Sequence, residues 1–588
     1  MKITLKRLAL GFASTGILTI YGCGGGSSSA TTTSDVTTTF KGVAATGKAL
    51  ANATVNITCA AGAESTTTKP DGSYSVDVKN ITLPCALKAA SSDGTTVLYS
   101  VTSATATSSN TQVANITPLT QLLVANLAGT EPAAFFSNFG ASTASSVTDS
   151  AIDAAQTAVL GTLSNAGIDV AGLTSTNLVS GTLVAGSSTN AYDVALEALG
   201  AKLTALAPTG TTLATLTTAV ANTSTTTAPT STATTNGTPS LPAAQLLKTA
   251  DNNCSALRSG DYWAITPVMG GNIASQYTSA SYNASNKTAT NLVGNSTVFS
   301  NASTACRYNL AADSLSDIVV SQAGVMVARY RDGNGVFRLG YAIPKQTIAL
   351  SELAGTWNGL GFERNDAGTS YAGNAFTATI SSTGVVSDVV SCNGASTSST
   401  CSAEAVTINF SSNSAGGFDL IGSDAGGTWT DRVFAYRAGN GDLMMLEVTG
   451  NGSVSVFTKK RTLSLPTVNT VQGASWSIRT LGTLVANPLN ISYPATVTAV
   501  DSGAGSYTRT VNLADGKVDY SETILQNAPR AGYNFRATGS TTSVLDSRTV
   551  NVRERTSLGL RGMGVSVQSV PVQTGISSAG FQMSVDQP

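Results

Sequence analysis

Two hydrophobic periods divide the chain. Across residues 39–110 apolar and polar positions alternate one by one, as in Ala53-Thr54-Val55-Asn56-Ile57-Thr58-Cys59 and Ser73-Tyr74-Ser75-Val76-Asp77-Val78. Successive side chains of a strand point to opposite faces, so this alternation predicts strands with one buried face. Pro70-Asp71-Gly72 between the two runs predicts a turn, Pro presetting φ and Gly accepting a positive φ. A small β-sandwich is expected here. From 115 to 206 the period becomes helical. Thr117 suits an N-cap and Pro118 the first helical position; Leu119, Leu122, Leu123 and Leu127 share a face, and Gly129 can end the helix. Ile152, Ala155, Val159 and Leu163 form a second stripe, and Tyr192, Leu196, Leu199, Leu203 and Leu206 a third. Such stripes predict a small bundle packed on itself. Residues 203–247 carry no charge, and 223–242 are rich in Thr, Ser, Ala and Pro. The stretch 207–249 reads as a linker without a core.

The half from 250 to 588 returns to short alternations broken by Gly, Asn, Ser and Asp. It contains a repeat. Residues 327–335, Val-Ala-Arg-Tyr-Arg-Asp-Gly-Asn-Gly, match residues 433–441, Val-Phe-Ala-Tyr-Arg-Ala-Gly-Asn-Gly, in six of nine positions at an offset of 106. Asn-Gly after an alternating strand predicts a hairpin. A Trp follows a Gly closely three times, at Gly260/Trp263, Gly355/Trp357 and Gly473/Trp476. Three related antiparallel modules are expected, over 250–348, 349–465 and 466–588, although the third lacks the Tyr-Arg-x-Gly-Asn-Gly hairpin. The pattern leaves sandwich and barrel open. Leu353-Ala354-Gly355-Thr356-Trp357 resembles the opening of small up-and-down barrels of the lipocalin type. The expected fold class is mainly β and multidomain.

Composition narrows the chemistry. Only 11% of the 588 residues are charged and the net charge is −1, which offers nucleic acid no basic footprint. Histidine is absent, which excludes Ser-His-Asp and Cys-His catalysis, His-ligated zinc and haem. Any catalysis would rest on carboxylates, Lys, Tyr or Ser. No G-x-S-x-G occurs, no helix opens after Gly333/Gly335 or Gly439/Gly441, and Asp332 and Asn334 lack the rest of a calcium loop. No cofactor or metal is implied.

The N-terminus carries an export signal. Lys2, Lys6 and Arg7 precede a short apolar run over 8–20, and small residues lead to Cys23. Ile20-Tyr21-Gly22-Cys23 resembles the lipobox of bacterial lipoproteins, with Tyr21 bulkier than is usual there. The resemblance implies cleavage after a 1–22 signal peptide and a lipid on Cys23. With no Asp after Cys23, it also implies sorting to the outer membrane. Residues 23–38, opening Cys-Gly-Gly-Gly-Ser-Ser-Ser, suit a tether. A second resemblance lies in 39–110. Gly42, then Gly47-Lys48-Ala49-Leu50-Ala51-Asn52-Ala53-Thr54-Val55 and Thr68-Lys69-Pro70-Asp71-Gly72-Ser73-Tyr74, are similar to the carboxypeptidase-regulatory-like, or transthyretin-like, domain. That family implies a sandwich serving as spacer or binding module.

Apart from Cys23, six cysteines remain: Cys59, Cys85, Cys254, Cys306, Cys392 and Cys401. An even number in an exported chain predicts disulfides, and clustering favours the neighbours Cys59–Cys85, Cys254–Cys306 and Cys392–Cys401 among the 15 pairings. Tyr330-Arg331 and Tyr436-Arg437 suit either a sugar or anion site or the scaffold of a hairpin; repetition at a turn favours scaffold. Trp263, Trp357, Trp429 and Trp476 suit a core better than a carbohydrate site. Glu352, Glu363, Asp424 and Asp431 are available as paired carboxylates, but nothing in the sequence brings two together. The expectation is a lipid-anchored protein at the outer membrane with a non-catalytic binding, adhesion or envelope-structural role, its ligand a glycan or a protein. The alternative is a carbohydrate-active hydrolase using two carboxylates.

Overall fold

The computed structural model describes residues 36–105, 110–223, 237–268, 271–364, 370–393, 401–424, 426–572 and 578–588. The signal peptide, Cys23, nearly all of the tether and most of the 223–242 stretch lie outside the described residues. The unit Thr37–Pro588 is mainly β, with a helical insertion.

The expected sandwich is present. Ala63–Thr67, Thr54–Ala61, Thr82–Ala90 and Val97–Val101 pair in that order in one sheet, and Ser73–Lys79, Thr37–Val43 and Thr111–Val113 form the other. Val55, Ile57 and Cys59 face inward from one strand, as the alternation requires. Cys59 stands opposite Cys85 in register and is bonded to it. Gly72 closes the Pro-Asp-Gly turn at φ 80°, its N–H donating to the Lys69 carbonyl at 2.9 Å.

The helix Pro118–Ala128 starts and stops where its residues demand. Thr117 Oγ1 accepts from Thr120 N, and Gly129 ends it at φ 61°. Asp149–Asn165 buries Ile152, Ala155, Val159 and Leu163, and Ala191–Leu206 buries Tyr192, Leu196 and Leu199. Sandwich and helices bury their apolar faces in one continuous core rather than two, with the Tyr74 hydroxyl donating to Ala114 O at 2.5 Å.

The linker over 207–249 needs correction. Within it Leu213–Ala221 is a helix with a Thr212/Thr215 capping box, and Leu216, Ala219 and Val220 are buried in that same core. Ala243–Leu246 is a further helical turn. A Thr-rich composition suggests loop, yet Thr at an N-cap is a helix signal, and here burial supplied the rest.

Two of the three C-terminal modules close into eight-stranded barrels. The first comprises Gly260–Ile265, Tyr277–Asn283, Thr288–Asn291, Ser296–Asn301, Arg307–Leu310, Asp313–Val320, Met326–Arg331 and Phe337–Pro344, the last pairing with the first. The second runs from Gly355–Arg364 to Val454–Lys459, which pair with each other. It closes because Val385–Asn393 pairs with both Tyr371–Ile380 and Thr407–Ser412. Closure removes the exposed edges that an open antiparallel sheet would offer. The third module is an open ten-stranded sheet with Val471–Gln472 and Asn490–Ser492 at its edges. Cys254–Cys306 and Cys392–Cys401 are bonded, so all three disulfides join neighbours in sequence.

Both repeated segments form hairpin turns. Arg331 and Arg437 each donate through Nη1 to the carbonyl of their own turn glycine, Gly335 and Gly441, at 3.2 Å. Arg331 also pairs with Asp313 at 3.0 Å, and Arg437 with Glu352. Both glycines hold positive φ, 78° and 86°, but their surroundings differ. Gly335 faces open space, whereas a Cβ on Gly441 would stand 2.5 Å from Asn222 O. The second hairpin is thus clamped: Asn222 Nδ2 donates to Gly439 O at 3.0 Å, and Gly439 N to Ser240 O at 2.7 Å. The modules share apolar contacts, among them Trp263 on Phe434 with ring centroids 4.5 Å apart. The Tyr533 hydroxyl lies 2.8 Å from Gly359 O.

Candidate functional site

Each barrel has an interior, and the two interiors differ in chemistry. That of the first is apolar. Its inward positions carry Tyr262, Tyr282, Phe299, Leu310, Ile318 and Met326, but also the small residues Ala264, Ala280, Ala289, Ala328, Gly340 and Ala342. Those six leave a cavity of about 170 Å³. An eight-stranded barrel is wide enough for side chains alone or for one small ligand, and small residues at facing positions decide for space.

One end of this barrel is closed by a polar network. Asp251, whose side chain is fully buried, comes from the segment before the first strand. Its Oδ1 accepts from Lys287 Nζ at 2.8 Å, the Tyr308 hydroxyl at 2.8 Å and Asn253 N at 2.7 Å. Its Oδ2 accepts from the Tyr282 hydroxyl at 2.6 Å and Lys287 Nζ at 2.9 Å. Burial pushes the Asp251 carboxyl up, and the bonds from Lys287, Tyr282, Asn253 and Tyr308 more than offset it, leaving the group below its ordinary value. Beside it Arg258, 1% exposed, is held by carbonyls and hydroxyls: Nε donates to Ser255 O at 2.6 Å, Nη1 to Lys248 O at 3.1 Å and Nη2 to Thr211 Oγ1 at 3.2 Å. Arg258 thereby joins the barrel to the helical region.

The second barrel's interior is apolar at one end and acidic at the other. Residues directly opposite in an antiparallel ladder share a face. Glu447 stands opposite Val433 and Ser455, Ser455 opposite Gly361, and Gly361 opposite Asn374. Asp431 and Glu363 lie two positions along from Val433 and Gly361, on the same inner face. Glu363, Asp431 and Glu447 therefore converge. Asn374 Nδ2 donates to Glu363 Oε2 at 3.2 Å, and none of the three carboxylates makes an ion pair among the described residues. Burial, with Glu363 adjacent, pushes Asp431 up to about 7. Burial pushes Glu447 up to about 8, with Asp431 and Glu363 adding to it. Like charges in a shared cavity cannot all ionise, so the cluster holds protons at neutral pH. Trp429 stands at this end, half-buried across Gly422, whose Cβ would come within 2.2 Å of the ring.

Of the carboxylates available in the sequence, Glu363 and Asp431 are brought together and Glu352 and Asp424 are not. Glu352 caps a short helical turn and pairs with Arg437; Asp424 accepts from Gly426 N at 2.6 Å in an exposed turn. Glu447 was missed. Its only signal is a lone charge inside Leu-Met-Met-Leu-Glu-Val, where alternation puts it beside core positions. Trp263, Trp357 and Trp476 are core residues, the Trp357 indole donating to Leu353 O at 2.7 Å. Asp332 serves its turn, accepting from Asn334 N at 2.9 Å and pairing with Arg338 at 2.8 Å. Among the described residues no group of three or more Asp, Glu or Cys is placed to hold a metal ion. No described helix is long and apolar enough to cross a membrane.

No known family matches this sequence, and no curated protein resembles it significantly. Among solved structures, one that it resembles is a transferrin-binding protein B mutant from Haemophilus parasuis, with 7% identity and a TM-score of 0.16 over 59% of this chain and 77% of that one. Another is a protein assigned as AttH from Nitrosomonas europaea, with 11% identity and a TM-score of 0.12 over 40% of this chain and 92% of that one. At such TM-scores neither carries an argument about this chain.

Proposed function

We propose that this chain is exported, lipidated on Cys23 and held at the outer membrane, where it binds a ligand without transforming it. Its first barrel takes a small apolar molecule, or the apolar end of a larger one. The observation that carries this reading is the cavity of about 170 Å³ lined by six small residues and closed at one end by the Asp251 network. Apolar voids of this order stay dry and accept a ring-sized guest. The sandwich and helices act as a spacer between tether and barrels, the role that resemblance to the carboxypeptidase-regulatory-like domain implies.

Two measurements test the two halves of the proposal. Cys23→Ser should move the protein from the membrane to the soluble fraction; retention on the membrane would remove the anchor from the reading. Toluene at saturation should raise the melting temperature of the wild type by about 2–4 °C, the effect of a ligand at roughly ten times its Kd. Ala328→Leu fills the lumen and should abolish that rise. An absent rise in the wild type, or one that persists in Ala328→Leu, refutes the cavity.

A second reading, a carbohydrate-active hydrolase, draws on the convergence of Glu363, Asp431 and Glu447 beside Trp429. General acids in such enzymes need raised pKa values, and burial supplies them here.

A further inference from the structure

One face of the open third sheet carries a row of Arg, Glu and Gln side chains. Arg509 stands opposite Glu522, Arg536 opposite Arg555, and Arg479 opposite Gln582, which stands opposite Gln568. Gln568 Oε1 accepts from Arg555 Nη1 at 3.4 Å, which joins the two ends of the row. The other face, with Ile478, Met583, Val567 and Leu558, packs into the core shared with the barrels.

Half of this row is satisfied. Glu522, its side chain 2% exposed, accepts on Oε1 from Arg509 Nε at 2.9 Å, Arg509 Nη2 at 2.6 Å and Arg555 Nη2 at 2.9 Å, and on Oε2 from Arg536 Nη1. Burial pushes this carboxyl up, but Arg555, Arg509 and Arg536 win and hold it at about 2.

The other half has no such partner. Arg479 makes no ion pair among the described residues. Its Nη2 donates to Gln582 Oε1 at 3.3 Å, and its buried Nε–H has no acceptor among the described residues. Burial and the neighbouring Arg553 and Arg536 together push the Arg479 guanidinium below its ordinary value. Its stem lies across Gly580, where a Cβ would stand 3.2 Å from Cδ. A half-buried cation beside two others, with a donor left idle, is destabilising unless a counterion completes it.

We propose that this face binds an anionic small molecule, which brings a phosphate, sulfate or carboxylate group to Arg479 and Arg553. Guanidinium forks match such groups in charge and in planar geometry. Glu522 organises the inner guanidiniums, and Arg479 and the exposed Arg553 are left for the ligand.

The test is calorimetric titration of the full mature chain, in chloride buffer, with inorganic phosphate, inorganic sulfate and acetate in turn. At least one should bind saturably, and the strongest identifies the group. Arg479→Gln should weaken it about tenfold or more while leaving the melting temperature unchanged or raised, since removing an uncompensated cation relieves repulsion. Arg553→Gln, at an exposed position, should weaken binding without touching the fold. Arg331→Gln, in the hairpin of the first barrel, should change nothing in the titration. The proposal is overturned if none of the three anions binds saturably. It is also overturned if Arg479→Gln and Arg553→Gln bind like the wild type, or if Arg479→Gln only lowers the melting temperature, which would make Arg479 scaffold.

Discussion

Replacing Asp251 with Ala should destabilise the first barrel by about 3–5 kcal/mol. The carboxylate is buried and takes bonds from Lys287, Tyr282, Tyr308 and the Asn253 backbone, so its removal orphans several donors at once. Among these the Lys287 ammonium, 19% exposed, would be left at the barrel's end without its counter-charge. Leaving one charge of a buried pair unanswered costs more than the pair contributes while intact. Hydrogen exchange gives a local readout. Amides of the strands between Gly260–Ile265 and Phe337–Pro344 should exchange about a hundredfold faster or more, while those of the sandwich hold. Asp251→Asn should fall between, keeping an acceptor but losing the charge. An acceleration under about fivefold in Asp251→Ala would mean that the Cys254–Cys306 bond and the barrel pairings hold that end without the network.

The melting temperature should fall by about 5 °C or more as pH rises from 5.5 to 8.5. The sign follows from the direction of the shifts. Asp431 and Glu447 have folded pKa values of about 7 and about 8, above their ordinary 3.8 and 4.5, because burial and mutual repulsion disfavour the anions. The folded state then binds protons more tightly than the unfolded state. The associated stability is fully present below the unfolded pKa values and is lost as pH rises through the folded ones. Glu522 acts in another window: its folded value of about 2 lies below the ordinary 4.5, so its contribution is present above that value and lost as pH falls toward 2. The optimum is therefore expected near pH 5. Glu447→Gln should flatten the decline and stabilise the protein at pH 8.5. A wild-type melting temperature that is flat or rising over that range would mean that the carboxylates are not held together. The same variant bears on the second functional reading: release of reducing sugar from a panel of glycans, lost in Glu447→Gln, would favour the hydrolase.

Much of the local structure was legible because its cause is local. The alternation around Thr54–Ala61 identifies a strand through the period of the side chains, and Thr117, Pro118 and Gly129 mark a helix through backbone donors and acceptors that any helix end must satisfy. The Tyr-Arg-x-Gly-Asn-Gly repeat identified two equivalent hairpins, because a positive φ selects Gly at a turn wherever it occurs. Clustered cysteines could be paired because short loops bring their ends together most readily. The helix Leu213–Ala221 was hidden, since its stability comes from burying Leu216, Ala219 and Val220 against residues far along the chain. Closure was decided by pairings such as Tyr341 with Ile265, across the whole first barrel, and no local pattern distinguishes a closing strand from an edge. The chemistry of the sites belongs to the same level. Glu363, Asp431 and Glu447 lie on separate strands, Asp251 lies before the barrel that it closes, and Arg479 is separated from Arg553 by most of the third module. Period assigns each of them a face, but a pKa depends on what stands across the lumen, and only the curvature of the closed or curled sheet puts it there.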